Sequence, residues 1–222
     1  TDIFEQRRAQ ILADPPDLGR NRLDLRPKFL CIARQSVRHH HQIAEIGQRL
    51  VVEIAGDAAA FALGFGPVDL PGYLDRRGIV RRIDPNRLEE SRTDLWAEPL
   101  GAGFKSVLEQ NLRLRLPGTP IRTFPWPMAS QPDLAVAIEV SRFEPGSANT
   151  VELNARWSIR SPRDGAVLAE RDAALVETVS GPGTEDVVAA MSRATGELTD
   201  QIAAALAQQA TARPGPRRNT TR

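Results

Sequence analysis

The sequence predicts an α/β fold in which a mixed sheet of about five strands carries two main helices, packed largely on one face. Three patterns predict it. An apolar stripe at spacings of three and four follows Pro99, three β segments occupy residues 134–178, and a second apolar stripe follows Thr184. The segments around Leu63 and Ile121 are separated by the first helix, so we expect them to run parallel. The three later β segments have short links and should form an antiparallel meander.

Residues 1–60 are predicted to be a poorly patterned N-terminal extension. The pattern allows a short helix over Ile3–Ala13 and an amphipathic helix over Gln42–Ala60. We interpret His39-His40-His41 as a solvated polar turn, because adjacent histidines point in different directions and no cysteine or carboxylate stands nearby at ligand spacing. Cys31 is interpreted as an ordinary semi-buried thiol.

Two short strands and a connector are predicted ahead of the first helix. Leu63–Val68 is predicted to be a strand that ends in a turn, and Gly78–Ile83 to be a second short strand. Glu89–Thr93 is polar throughout, so we expect it to be a connector that delivers the chain to the helix.

The helix around which the domain is organised is predicted to extend to about Leu116. Pro99 suits the first turn, where its missing N–H costs nothing, and Glu98 places a negative charge at the positive end of the helix dipole. Pro117-Gly118 should end the helix, and Trp96 should anchor the chain where it begins. The apolar stripe consists of Leu100, Phe104, Val107, Leu108 and Leu112.

Four more β segments are predicted after this helix. They are Ile121–Phe124, Leu134–Val140, Val151–Arg160 and Ala166–Thr178, the last with a bulge near Arg171-Asp172. Val151–Arg160 alternates without interruption between apolar and polar residues, which indicates a sheet that is covered on one face only.

A last helix is predicted to begin at Thr184, a favoured capping residue. Its apolar face consists of Val187, Met191, Ala194, Leu198, Ile202 and Ala205. From about Gln209 the chain offers little to bury, so residues 209–222 are predicted to be a disordered Arg- and Pro-containing tail. The predicted domain is therefore residues 61–208.

Composition and residue types exclude several classes of function for that domain. The formal net charge of +1 gives no general reason to expect nucleic-acid binding. After Phe61 the chain has no histidine or cysteine, which removes Ser-His, Cys-His and most zinc arrangements. We expect no catalytic, cofactor or metal site. A hydrolase using Glu98 or Asp75 is an alternative, but it needs an acidic pocket that the pattern does not indicate.

A possible binding loop follows Pro71-Gly72. Tyr73, Leu74, Asp75 and Arg76 stand in a predicted turn, and turns placed by a rigid sheet are common carriers of binding residues. Our hypothesis is that this loop contacts a neighbouring subunit or another protein. The alternative is a structural turn in which Tyr73 folds back onto the core.

Two longer motifs carry a resemblance to a known family. They are Gly66-Pro67-Val68-Asp69-Leu70-Pro71-Gly72-Tyr73-Leu74-Asp75-Arg76 and Trp96-Ala97-Glu98-Pro99-Leu100, with weaker support from Arg142-Phe143-Glu144 and the Leu153–Trp157 strand. From about Leu63 to Leu206 the sequence resembles the auxiliary lipoprotein component of ABC-type transport systems, the paraquat-inducible protein C type.

This resemblance implies a non-enzymatic accessory component of a lipid transport system in the Gram-negative envelope. It implies a periplasmic protein associated with the outer membrane, with a permease and a mammalian-cell-entry-type substrate-binding protein as partners, and a possible homo-oligomer. Residues 1–60 show neither the signal peptide nor the lipidated cysteine of the family. An alternative function is a structural outer-membrane or secretion-associated assembly protein with a similar small α/β domain.

Overall fold

The computed structural model describes residues 61–212 of the 222-residue chain. The helices predicted before residue 61, the histidine run and Cys31 lie outside the described residues. The strands are β1 (Leu63–Asp69), β2 (Gly78–Asp84), β3 (Arg87–Leu95), β4 (Ile121–Thr123), β5 (Leu134–Pro145), β6 (Thr150–Arg160) and β7 (Val167–Thr178). The helices are α1 (Leu100–Arg115) and α2 (Thr184–Ala212). Single turns of 3₁₀ helix occupy Gly72–Leu74 and Met128–Ser130.

Five of these strands form one mixed sheet in the order β4-β1-β5-β6-β7. β1 pairs in parallel with both β4 and β5, and the β1-α1-β4 connection is the parallel unit that the sequence predicted. β5, β6 and β7 pair antiparallel as a meander. The predicted α/β fold with a mixed five-stranded sheet and two helices is confirmed.

The alternation predicted for β6 is also confirmed, except at Ser158, which belongs to the predicted polar face but is buried with 6 % exposed. Its apolar residues at alternate positions are buried, and Trp157 among them is fully buried, whereas Arg156 and Arg160 are exposed. The prediction of a bulge near Arg171-Asp172 was wrong. These two residues pair regularly with Trp157 and Arg156, and the register shifts between Ile159 and Arg160 instead.

Both helices bury their apolar stripes in one hydrophobic core against the sheet. α1 begins at Leu100, directly after Pro99, whose carbonyl accepts hydrogen bonds from the backbone N–H groups of Ala102 at 3.0 Å and Gly103 at 3.2 Å. The α1 stripe reaches β5, where the rings of Phe104 and Phe143 lie 5.0 Å apart. All residues of the predicted α1 stripe are buried except Val107, which is half-buried.

The polar segment Glu89–Thr93 is not a connector, as predicted, but part of β3. It pairs antiparallel with β2 to form a separate two-stranded sheet. Both faces of β3 are largely exposed, so backbone pairing holds it in the absence of any apolar alternation. Close approach helps to fix the pairing, since a Cβ on Gly78 would lie 2.1 Å from the carbonyl oxygen of Ser91.

The last helix is longer than predicted, because it extends through Gln209 to Ala212. Leu206 is fully buried, and the Gln209 side-chain amide donates a 3.5 Å hydrogen bond to the carbonyl of Leu168 in β7. Packing on β7 therefore carries the helix past residue 208, where we placed the end of the domain. Residues 213–222 lie outside the described residues.

Candidate interaction site

The predicted binding loop and the two residues before it, residues 71–76, form a compact turn after β1 that we call the motif loop. Two backbone hydrogen bonds and the burial of two side chains hold it in place. The N–H of Leu74 donates to the carbonyl of Pro71 at 3.0 Å, and that of Asp75 donates to Gly72 at 3.2 Å. Leu74 lies in the core with 2 % of its surface exposed. Tyr73 is half-buried and packs against the same core.

The Tyr73 hydroxyl ends on a buried carboxylate, Glu144 of β5. It donates a 2.6 Å hydrogen bond to Glu144 Oε2. The Glu144 side chain is fully buried, and a charged group in that position needs hydrogen-bond donors on both oxygens to remain stable. The backbone N–H of Phe143 supplies a second donor to Oε2 at 3.1 Å.

Two arginines complete the environment of this carboxylate. Arg82 Nε of β2 donates to Glu144 Oε1 at 2.8 Å, and Arg142 Nε of β5 donates to the same oxygen at 2.9 Å. Arg142 also forms an ion pair with Glu152 of β6, with 2.6 Å between Nη1 and Oε2. The Glu144 cluster, which we define as Tyr73, Arg82, Arg142, Glu144 and Glu152, therefore ties the motif loop and the β2-β3 hairpin to the main sheet.

The environment of Tyr73 changes its acidity. Burial, together with the hydrogen bond to Glu144 and the negative charge of that carboxylate, raises the pKa of Tyr73 to about 12. Arg82 opposes this effect only in part. The phenol therefore keeps its proton, and can donate it in the hydrogen bond to Glu144, at a pH where an ordinary tyrosine with a pKa of 10.0 is ionised.

Of the four residues in the predicted binding loop, two face solvent. Asp75 and Arg76 are exposed at the end of the turn, whereas Leu74 is a core residue and cannot serve as a surface contact. Tyr73 adopts the alternative that we considered, a tyrosine folded back on the core. Asp75 and Arg76 are therefore the two loop residues that remain candidates for contact with a partner, and this contact stays a prediction.

The second motif lies where α1 begins. Trp96 is buried with 7 % exposed, as expected for an anchor, and its backbone N–H donates to the carbonyl of Arg77 at 2.7 Å. Glu98 and Pro99 are exposed. The backbone bond links this motif to the segment that follows the binding loop, so the two motifs are neighbours in the fold.

The hydrolase alternative requires a carboxylate in a pocket. A cavity of about 20 Å³ lies between α1, α2 and Trp96, which is room for about one water molecule. Its lining is apolar apart from the Ser192 and Thr195 hydroxyls, and neither Glu98 nor Asp75 contributes to it. In residues 61–212 no group of three His, Cys, Asp or Glu side chains could hold a metal ion.

Sequence reasoning missed Glu144, Arg82 and Glu152 as parts of one cluster. One sequence signal for Glu144 was present. Phe143 continues the series of buried apolar residues in β5, and Glu144 follows it in the Arg142-Phe143-Glu144 motif. The register shift between Val140 and Arg142 hid that continuation.

The comparisons with known proteins agree with this architecture. The sequence model of the family described as ABC-type transport auxiliary lipoprotein component matches residues 48–203. The chain belongs to this family. It is similar to the intermembrane transport lipoprotein PqiC of Escherichia coli K12, with 27 % identity over 145 residues, covering 64 % of this chain and 71 % of PqiC. The PqiC of Shigella flexneri matches to the same extent.

Two solved structures have a fold similar to that of this chain. A crystal structure of a protein from Xanthomonas campestris has a TM-score of 0.56 at 20 % identity, covering 67 % of this chain and 86 % of that one. Another crystal structure, of an uncharacterized protein, has a TM-score of 0.59 at 20 % identity, covering 65 % of this chain and 92 % of that one.

Among residues 61–212, no helix is long and apolar enough to cross a lipid bilayer.

Proposed function

We propose that this protein is a non-enzymatic accessory component of an ABC-type, mammalian-cell-entry-type lipid transport system of the Gram-negative envelope. It acts in the periplasm in association with the outer membrane. Its partners are a permease and a mammalian-cell-entry-type substrate-binding protein, and it has no nucleic-acid partner.

The observation that carries this proposal is the family match over residues 48–203 together with the similarity to PqiC, named an intermembrane transport lipoprotein. The chemistry of the described residues supports it. The one fully buried carboxylate among them, Glu144, is occupied by four donors and holds elements together, an arrangement that suits a scaffold.

We assign the partner contact to Asp75 and Arg76. Leu74 and Tyr73 fix this turn, so little conformational entropy is lost when a partner binds it. Arginine is over-represented at interface hot spots, and an adjacent carboxylate adds selectivity for a partner with the complementary charge pattern.

Affinity purification from membranes tests the assignment. The double variant Asp75→Ser/Arg76→Ala should fold like the wild type, because both side chains are exposed, and should lose the permease and the substrate-binding protein. Arg156→Ala/Asp172→Ser is the matched control. It also removes one exposed carboxylate and one exposed guanidinium, 2.8 Å apart on β6 and β7, and should retain the partners.

Equal recovery of both partners by the two variants would refute the Asp75-Arg76 assignment. Recovery of outer-membrane or secretion proteins by the wild type, with no transport component among them, would refute the transport role. That second result favours the structural assembly alternative.

A further inference from the structure

A second surface of the molecule exposes apolar side chains. The aromatic loop, which we define as residues 124–132 between β4 and β5, contains Phe124, Trp126 and Met128, each next to a proline. Phe124 is 43 % exposed and Met128 is 84 % exposed, the highest exposure among the large apolar residues described. Exposed apolar side chains that lie together mark a contact surface more often than scattered ones do.

This loop is held firmly, so the exposure is a property of its folded position. The Phe124 N–H donates to the carbonyl of Phe65 at 2.8 Å, and the Phe124 and Trp126 rings meet edge to face at 5.2 Å. Trp126 lies directly over β1, since a Cβ on Gly64 would be 2.8 Å from its ring. Glycine at position 64 therefore makes room for the indole, whereas Met128, two residues further on, is left exposed.

The loop segment itself carries positive charge only. Residues 117–132 contain no carboxylate, and Arg122 donates to the carbonyl of Ser130 within the loop. Arg113 of α1 reaches the same edge, with Nη2 3.3 Å from the carbonyl of Ile121.

Two carboxylates lie close to this edge of the sheet, and both have partners. Glu109 is 2.7 Å from Arg113 and also accepts the Thr123 hydroxyl. Asp133, at the end of the loop, is 2.6 Å from Arg163. Each of these two carboxylates is paired with an arginine, so the apolar tip keeps the positive charge of Arg122.

We propose that the aromatic loop docks reversibly onto the surface of an anionic lipid membrane. Phe124 and Met128 enter the boundary between headgroups and acyl chains, Trp126 sits at headgroup level, and Arg122 faces lipid phosphates. This combination of aromatic, apolar and arginine side chains is the one that binds bilayer interfaces. Exposed apolar side chains of this kind need no partner of matching shape, which favours a fluid surface over a protein groove.

This contact goes beyond the proposed function, because it needs no transport partner. Co-sedimentation of the full chain with vesicles of phosphatidylethanolamine and phosphatidylglycerol measures it, with phosphatidylcholine vesicles as the uncharged comparison. Phe124→Ser/Met128→Ser should lower partitioning onto the anionic vesicles by at least about tenfold. Val167→Ser/Val176→Ser, which alters two exposed valines of β7 at the opposite edge of the sheet, should leave it unchanged.

Tryptophan emission gives an independent readout of the same contact. Trp96 and Trp157 are buried, so a blue shift on adding anionic vesicles, with quenching by brominated lipids, reports Trp126. Trp126→Phe should abolish the shift while most of the binding remains. The proposal is overturned if the wild type does not bind, or if the loop variant binds as well as the valine control. Loss of self-association in the loop variant, with vesicle binding unchanged, also overturns it and assigns the loop to a contact between copies.

Discussion

Glu144 is the residue that holds the motif loop and the β2-β3 hairpin against the main sheet. Taking a carboxylate out of water costs several kcal/mol unless close partners compensate it. Glu144 is fully buried, and its partners come from Tyr73 of the motif loop, Arg82 of β2, and Arg142 and the Phe143 N–H of its own strand. Removing any one partner leaves the others around an under-compensated charge, so the cluster should behave as a unit and not as a sum of pairs.

Tyr73 is the only tyrosine of the chain, so its titration can be observed directly. We expect tyrosinate absorbance at 295 nm to appear with a midpoint near pH 12, since the pKa of Tyr73 is raised to about 12 from the ordinary 10.0. The folded state therefore holds the proton more tightly than the unfolded chain does. This contribution to the free energy of unfolding is complete below pH 10 and is lost as the pH rises from 10 to 12.

Two variants make the titration decisive. Tyr73→Phe removes the absorbance change altogether, and its stability should no longer fall between pH 10 and 12 for this reason. Glu144→Gln keeps an acceptor but removes the charge, so the midpoint should move toward 10. A wild-type midpoint near 10 in folded protein would contradict the hydrogen bond to Glu144.

At the level of single residues the sequence predicted roles where the pattern was local. Trp96 could be placed as an anchor because it directly precedes a helix with an apolar stripe. Tyr73 could not be decided, since either of its two interpretations depends on what faces its hydroxyl. That partner is 71 positions away, and a sequence pattern carries no information on a contact of that kind.

At the level of elements, prediction succeeded where one face is buried. β6 alternates because one face meets the helices, and α1 and α2 show stripes for the same reason. β3 has no buried face, and backbone pairing alone leaves no periodic trace in side chains. Its assignment as a connector failed for that reason, and the α2 end was placed early because the stripe weakens among alanines and glutamines.

The α1 stripe and its anchor provide a quantitative test of the element. Trp96→Ala and Phe104→Ala should each lower the free energy of unfolding by roughly 3–5 kcal/mol, the usual cost of emptying a buried aromatic site. Trp96 is 7 % exposed and Phe104 is 3 % exposed, and both line the same small cavity between the helices. Urea unfolding followed by circular dichroism measures the difference.

Leu114 is the control on the same helix. It is 50 % exposed, so Leu114→Ala should change the free energy of unfolding by less than about 0.5 kcal/mol. Equal effects at positions 104 and 114 would mean that the helix does not present its predicted face to the core.

At the level of the whole molecule, connection rules predicted the parallel unit but not the strand order. A strand, a helix and a second strand in one sheet run parallel, which gave β1 and β4 their directions. β1 also pairs with β5, so it lies between the parallel and the antiparallel halves of the sheet. The lengths of the linkers do not determine this position, because it depends on how the strands pack side by side.

Residues 61–212 contain a single connected hydrophobic core that draws on both helices and on the five-stranded sheet. We therefore predict that deleting residues 1–60 and 213–222 leaves a protein that unfolds in one cooperative transition. Urea melts followed in parallel by far-UV circular dichroism and tryptophan emission should coincide. Trp96 lies just ahead of α1 and Trp157 lies in β6, so emission reports two different elements of the core and coincidence is a demanding criterion.

A shorter deletion variant supplies the control for this last prediction. Ending the chain after Gln201 removes the fully buried Ile202 and Leu206 of α2, and with them the contact of Gln209 with β7. Each buried aliphatic side chain contributes on the order of 2 kcal/mol, a large share of the 5–15 kcal/mol typical of a domain. This variant should lose its sharp transition while the variant covering residues 61–212 keeps it. Broad or non-coincident melts for the 61–212 variant would show instead that residues outside that range belong to the core.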